Sequence, residues 1–490
     1  MDEPVAAVAF AAVLGATSLL ALTARWFHRR DVLPHLEGWA LADRGFGPGV
    51  TWFLLGGSIY TAYTFAAVPG LAYGTGALGF FPLTYTVILC PVLYVLLPRL
   101  WAAARRTGAV TVADWVRARY SSPALMLVVA VTGVLATMPY IALQLLGVRA
   151  VLAAGGLYPD GLAGDLVLTA VFAVLAGATY RSGLRAPAVI SLAKGVLVPG
   201  AAVGVLVVAV DRVGGFGPVF AGAERALGPS GGLLLDPSAH TAFATLALGS
   251  ALALPMYPHV LTAAFAAEGT GALRRSVVAM PAWTLVLGMF GLLGITALAA
   301  GVVAPVGNAE LAVPLMIREL LPELLSGAVF GALAVGALVP AAVMSVAVAA
   351  LFTRNIWAEF FAPRTTPKQE VRVARRVSLL AKVAALAFVF GLRDQDAINL
   401  QLLGGIWILQ TAPTVVLGLF GTRWRPPALL AGWGAGMLLG TALAVGGGFT
   451  SVVAVGPVLL YVAVVALVAN LAVAALVHAS SGAARDRVAA

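Results

Sequence analysis

Thirteen apolar runs, each close to the length that crosses a bilayer, dominate this 490-residue sequence. They fall at about 5–24, 49–73, 78–99, 123–154, 162–180, 187–210, 238–266, 275–302, 323–353, 374–392, 397–419, 425–446 and 452–478. A helix rises about 1.5 Å per residue, so roughly 20 residues span membrane hydrocarbon. With 61% of residues hydrophobic and 10% charged, such runs have no soluble core to fill. The expectation is an all-α integral membrane protein with about 13 transmembrane helices, here named a leading helix and core helices 1 to 12. Ten-residue stretches of alternating polarity, the mark of a membrane barrel, are absent. The single Cys90 lies in an apolar run, which rules out an internal disulfide and a cysteine metal cluster.

The net charge of +10 would suggest nucleic acid for a soluble chain, but here its position matters more than its sum. An odd number of spans puts the termini on opposite sides. Asp2 and Glu3 precede the leading helix and Arg25 to Arg30 (RWFHRR) follow it, which places the N-terminus outside and the C-terminus inside. The N-terminus also lacks the basic start of a cleavable signal peptide. With that orientation, 25 of the 30 Lys and Arg residues fall in cytoplasmic segments; only Arg149, Arg212, Arg225, Arg318 and Arg393 do not. One miscounted span would scramble this asymmetry. Two longer connections, 211–237 and 303–322, lie outside, and 107–120 reads as a short amphipathic surface helix capped by Thr111.

Core helix 1, GVTWFLLGGSIYTAYTFAAVPGLAY (Gly49 to Tyr73), is interrupted by Gly56-Gly57 and again by Pro69-Gly70. Freed backbone groups are tolerated at membrane depth only against protein or a water-filled cavity, so such a break points to a binding site. Ser58, Tyr60, Thr61, Tyr63, Thr64 and Phe65 give it hydroxyls and aromatics suited to a small polar solute. The alternative is a kinked helix that packs closely on its neighbours. Five spans from 49 to 210 precede five from 238 to 419, so the second set enters the membrane inverted, with 211–237 outside between them, 1–48 leading and 420–490 trailing. The repeat rule predicts a second break in core helix 6, where Pro255 and Pro258 interrupt the span.

These features resemble the sodium:solute symporters, whose leucine-transporter fold has a leading helix, a 5+5 inverted repeat and trailing helices. The resemblance covers nearly the whole chain. It rests on VPGLAYGTGALG (Val68 to Gly79), SGLRAPAVISLAKG (Ser182 to Gly195), YPHVLTAAF followed by RRS (Arg274 to Ser276), and PAAVMSVAVAALFTRNIW (Pro340 to Trp357). TAYTFAAVPGLAYGTGALGFF, RLW, VTGVLATMPYIALQLLGV and LFTRNIW look most like the branch taking up short monocarboxylates such as pyruvate, lactate, acetate or propionate. The resemblance implies secondary active, cation-coupled symport by alternating access in the plasma membrane, with no cofactor beyond a coupling ion, H+ or Na+. A sodium-coupled symporter of another small solute, such as an amino acid, is the alternative.

The resemblance also places a cation between core helices 1 and 8. The matching positions are the carbonyls of Gly57, Tyr60 and Ala342, with Ser345 and Val346 where two hydroxyls are expected; valine has no oxygen to offer. Ser191 stands where the family carries an aspartate, Lys194 where it carries a glutamine, and Ile59 where some members carry an aspartate. Sodium is a hard cation that wants several oxygens. A lysine amine can occupy such a site and exchange a proton, so proton coupling through Lys194 is expected, with sodium the alternative. Lys194 could instead snorkel to the cytoplasmic edge. His259, deep in a span, is the rival proton carrier, or else a neutral histidine bonded to backbone freed by Pro255 or Pro258.

A monocarboxylate needs one negative charge stabilised, and no arginine lies at mid-span to do it. Half-helix N-termini can. The expected substrate site is backbone at Gly56 and Gly57, hydroxyls of Tyr60, Thr61 and Thr64, Tyr257 of core helix 6, and Tyr140 with Gln144, which share a face of core helix 3. Acids are almost absent from the spans, which argues against an intramembrane enzyme. A fused sensor would need an output domain, but the sequence stops some twelve residues after the last span. The expected partners are a solute, a coupling cation and lipid, with no nucleic acid and no obligate protein partner.

Overall fold

Proline and glycine decide where the apolar runs stop being helix. The structure, a computed structural model, describes residues 4–24, 35–159, 161–228, 232–391, 397–421 and 424–488. The basic run Arg25 to Arg30, the acidic Asp2 and Glu3, and Arg393 and Arg423 lie outside the described residues. The leading helix is Pro4–Thr23. Core helix 1 starts as Pro48–Ile59, unwinds at Tyr60, re-forms as a π-helical segment Tyr63–Ala67 and continues as Val68–Thr75. Core helices 2 to 5 are Phe81–Thr107, Pro123–Ala154, Leu162–Ser182 and Arg185–Val213.

Core helix 6 breaks as its prolines require. His240–Ala253 runs into a 3-10 turn at Leu254–Met256, and a new helix begins at Pro258–Phe265. Tyr257 is extended (φ −63°, ψ 134°), as expected of a residue before proline, and Pro258 takes the first helical position, where no N–H is needed. Core helix 7 combines Thr270–Val278 with Pro281–Ala299. Core helix 8, Glu323–Phe352, ends in a π-helical stretch Thr353–Phe361, and core helix 9 is Pro367–Gly391. Core helix 10 is Ala397–Ile408 and Ala412–Leu419 about a 3-10 turn; core helices 11 and 12 are Pro426–Gly446 and Val462–Val488.

Two expectations need correction. The break in core helix 1 falls at Tyr60 to Ala62, not at its Gly-Gly or Pro-Gly pairs. Gly56 lets the Trp283 indole lie against the backbone, Gly57 faces Ser191 and Lys194, and Pro69 sits harmlessly in a first helical turn. Core helix 12 begins ten residues later than expected, because Val452–Val455 and Val458–Tyr461 form an antiparallel hairpin before it. By length and apolarity alone, eleven stretches among the described residues could each cross a membrane. The second half of core helix 1 runs into core helix 2 as a single stretch, Tyr63–Thr107, and core helix 9 is not among the eleven, since four arginines and lysines crowd its first half.

Core helix 8 is the axis, buried along almost its whole length between core helices 1, 3, 5 and 9 and the leading helix. Small residues allow this close approach: Gly327 and Gly331 against the leading helix, Gly133 against Pro258, Gly147 against Ala62. At one end of the bundle the basic loops meet. Buried Arg44 donates to Glu37 (2.5 Å), to the Ala109 carbonyl (2.6 Å) and to the Phe265 carbonyl (3.4 Å), while Arg185 pairs with Asp43 (2.5 Å). Ala42, Asp43 and Arg44 all have positive φ, a left-handed run that side chains resist, and these contacts hold it.

Candidate functional site

The unwound turn Tyr60 to Ala62 is gripped from two sides. On one side, three carbonyl oxygens lose their helical partners. Core helix 1 stops at Ile59, which frees the carbonyls of Gly57 and Tyr60. In core helix 8, Pro340 has no N–H to give the carbonyl four residues back, which frees Gly336. The Lys194 amine lies 2.7 Å from the Gly57 oxygen, 2.6 Å from Tyr60 and 2.8 Å from Gly336. Three acceptors need three N–H donors. An ammonium has three and a neutral amine two, so the arrangement is complete only for the charged lysine. The charge also sits at the C-terminal end of the half-helix Pro48–Ile59, whose dipole favours a cation. Among the described residues no carboxylate is its partner.

On the other side, Gln144 of core helix 3 accepts from the Ala62 N–H (2.9 Å) and donates to the Tyr140 carbonyl (3.0 Å). Ala62, which immediately precedes the π-helical segment Tyr63–Ala67, is thereby tied to core helix 3.

Beyond the turn lies a set of buried polar atoms with no hydrogen-bond partner: the Tyr63 and Tyr140 hydroxyls, the Thr64 hydroxyl, both ring nitrogens of His259 and Oε1 of Gln401. Tyr140, Tyr257 and His259 form a mutual ring cluster, with centroids 5.2 to 5.4 Å apart. Tyr257 donates weakly to the Gln401 carbonyl of core helix 10 (3.3 Å). A buried polar atom left unpaired is unfavourable by about 1–3 kcal/mol, so several such atoms on core helices 1, 3, 6 and 10 need an outside partner.

The structure distributes the expected site residues unevenly. Gly57, Tyr60 and Lys194 meet through backbone and amine, and Ser191 packs against Gly57 while its hydroxyl donates to Ala188. Ser345 does not join them. Its hydroxyl lies 2.9 Å from both the Ala341 and Ala342 carbonyls of its own helix, and the helix 8 oxygen beside the lysine comes from Gly336, two turns earlier. Of the expected substrate contacts, the Thr64 and Tyr140 hydroxyls are among the unpartnered atoms, Tyr257 belongs to the ring cluster, and the Thr61 hydroxyl accepts from the Tyr63 N–H (3.2 Å). Four others are already engaged. Gln144 holds the turn, the Gly57 carbonyl holds Lys194, Gly56 packs on Trp283, and the Tyr60 ring stacks on Trp283 with its hydroxyl on Thr284 (2.7 Å). His259 does not bond to freed backbone; both its nitrogens stay unpaired. Nor does Lys194 snorkel, being buried at the centre of the bundle. Sequence reasoning missed Gly336, Gln401 and the role of Pro340. A proline four residues after Gly336 is a legible signal for a freed carbonyl; Gln401 offered none.

A helical membrane bundle with two interrupted helices meeting at a buried polar centre is the architecture of a secondary transporter. The sodium:solute symporter family model matches residues 39–440, and the chain belongs to that family. It is 45% identical over 464 residues to a monocarboxylate transport permease protein of Rhizobium johnstonii, covering 94% of this chain and 93% of that one. It is 30% identical over 409 residues to the uncharacterized symporter YodF of Bacillus subtilis, covering 82% and 80%. Among solved structures it resembles a Na+-coupled sialic acid symporter in a substrate-bound outward-open state, with a TM-score of 0.79 at 14% identity and 96% of both chains covered. MhsT in complex with L-phenylalanine is a more distant likeness, with a TM-score of 0.50 at 14% identity, covering 86% of this chain and 97% of that one. The protein is an integral multi-pass membrane protein with the family and fold of transporters.

Proposed function

We propose that this protein imports a short monocarboxylate across the plasma membrane by cation-coupled symport, and that the ammonium of Lys194 serves as the built-in coupling cation. The carrying observation is the triple contact of Lys194 with the carbonyls of Gly57, Tyr60 and Gly336. Residues 49–210 and 238–419 act as the two inverted halves that rock about this point. A protonated Lys194 ties the first half-helix to core helix 8. Movement of Pro48–Ile59 away from core helix 8 breaks these contacts and opens a path for the proton to leave; the neutral amine can no longer hold all three carbonyls. The solute carboxylate binds the hydroxyls of Thr64 and Tyr140 and an N–H of His259, uncharged donors suited to one small anion. Thr61 and Tyr257 complete the pocket wall. Solute and proton are linked because Lys194 and Gln144 fix the two ends of the same turn.

Sodium coupling is the second reading, favoured by the family and by the Na+-coupled symporter of similar fold. Under it, Na+ enters beside the freed carbonyls when Lys194 swings out, and His259 is a solute ligand only.

The solute class is tested by reconstituting the full chain and measuring uptake of labelled pyruvate against excess unlabelled compounds. Lactate, acetate and propionate should compete and neutral amino acids should not. Competition by amino acids with none from short carboxylates would refute the proposed solute.

A further inference from the structure

Core helices 8 and 9 meet in a turn whose charges are sorted onto two sides. On the side facing the surface helix Val112–Tyr120, every acid has a partner. Glu370 accepts from Arg354 (2.9 Å), Glu359 pairs with Arg117 (3.2 Å), and Asp114 accepts from Asn355 (2.6 Å) and from the Val110 and Thr111 N–H groups. The other side has only cations. A cleft of about 540 Å³ is lined by Trp357, Arg364, Thr365, Gln369, Arg372 and Arg376. Arg364, Arg372 and Arg376 are exposed and have no hydrogen-bond or ion-pair partner among the described residues. Arg372 and Arg376 are one helical turn apart and face the same way, and Lys368 extends the row by another turn. Three guanidinium groups line one cleft with no counterion among the described residues, and so offer it to an external anion.

The surroundings select which anion. Phe360 and Phe361, 45% and 75% exposed, end the π-helical stretch immediately before the cleft-lining Ala362 and Pro363, and Trp357 forms part of the cleft wall. Exposed phenylalanines belong in acyl chains, and an indole belongs at the level of the headgroups. The cleft therefore sits where a charged headgroup and its tails would divide. It also lies at the end of the bundle where the basic loops gather, since Arg375, on the same helix, donates to the Arg181 carbonyl (3.2 Å).

We infer that this cleft is a binding site for the phosphodiester headgroup of an anionic phospholipid in the cytoplasmic leaflet. Guanidinium forks match phosphate oxygens in pairs, and anionic headgroups are bound at basic pockets between membrane helices on that side. A lipid held there would bridge the end of core helix 8, which carries Gly336 and Pro340, to core helix 9.

Native mass spectrometry of the detergent-purified full chain tests the site, using phosphatidylglycerol and phosphatidylcholine as probes. The wild type should retain phosphatidylglycerol at least about tenfold over phosphatidylcholine, and R364Q/R372Q/R376Q should lower that ratio to about twofold or less. R372Q/R376Q alone should give an intermediate ratio on a chain that keeps Arg364. R212Q/R225Q, altering exposed arginines at the end of core helix 5 and in the connection that follows it, should match the wild type. Equal preference in the wild type and the triple variant, or an equal loss in R212Q/R225Q, would overturn the inference. Glycerol phosphate raising the thermal midpoint of the wild type as much as phosphatidylglycerol would assign the cleft to a free phosphate compound and overturn the lipid.

Discussion

The two sides of the unwound turn in core helix 1 are built on opposite terms. On the Lys194 side three freed carbonyls, those of Gly57, Tyr60 and Gly336, meet one ammonium. On the Tyr140 side, hydroxyls and imidazole nitrogens are buried with nothing to bond. The first side is complete within the chain and the second needs a visitor. Under the proposed function that difference separates the coupling element from the solute site: one would carry its cation on a tether, and the other would exchange its ligand with solvent. The same chemistry explains their distinct sensitivities. Removing Lys194 leaves three buried acceptors unpaired, whereas removing a hydroxyl that has no partner leaves the resting protein intact.

The contrast can be broken most forcefully at Lys194. Lys194→Ala should cut gradient-driven pyruvate uptake by about 100-fold, a loss of about 2.7 kcal/mol in the coupled step. It should also lower the thermal midpoint, since each orphaned carbonyl is unfavourable by about 1–3 kcal/mol. A mutant with wild-type uptake and stability would show that the three contacts are incidental. Tyr140→Phe is the opposite case. It should raise the apparent KM for pyruvate about tenfold, as for one lost hydrogen bond to a charged group, with stability changed by less than about 0.5 kcal/mol. A stability loss without a change in KM would mean the hydroxyl is paired inside the protein.

Pro340→Ala probes the lysine side more gently. It supplies an N–H to the Gly336 carbonyl and so competes with the ammonium; uptake should fall about threefold to tenfold while the helix itself is stabilised. A smaller effect still is expected at the partly exposed ion pair of Asp43 with Arg185. Asp43→Asn breaks its pair with Arg185, and because Asp43 is about one-third exposed, uptake should change by less than about threefold.

The fold was far more legible in the sequence than the site was. Length and apolarity of the runs placed the spans, and Pro255 with Pro258 placed the second break, because proline acts on the backbone locally. Gly56 and Gly57 misled for the same reason that makes glycine useful. It permits a break but equally permits close packing, and only the positions of Trp283 and Lys194 decide between them. Lys194 stood out as an ammonium where oxygens were expected, yet its third partner, Gly336, is 142 residues away in sequence. Gln144 read as a solute contact and proved to be a clamp on Ala62. A side chain's type shows that it needs a hydrogen bond; which partner satisfies it is a property of the packed bundle.

The most direct measurement is pyruvate uptake into proteoliposomes driven by a pH gradient without sodium and, separately, by a sodium gradient at fixed pH, each with wild type and Lys194→Ala. Uptake driven by the pH gradient in the wild type and abolished in the mutant is the predicted result. Strict dependence on sodium in the wild type, with the mutant still active, would contradict Lys194 as the tethered coupling cation.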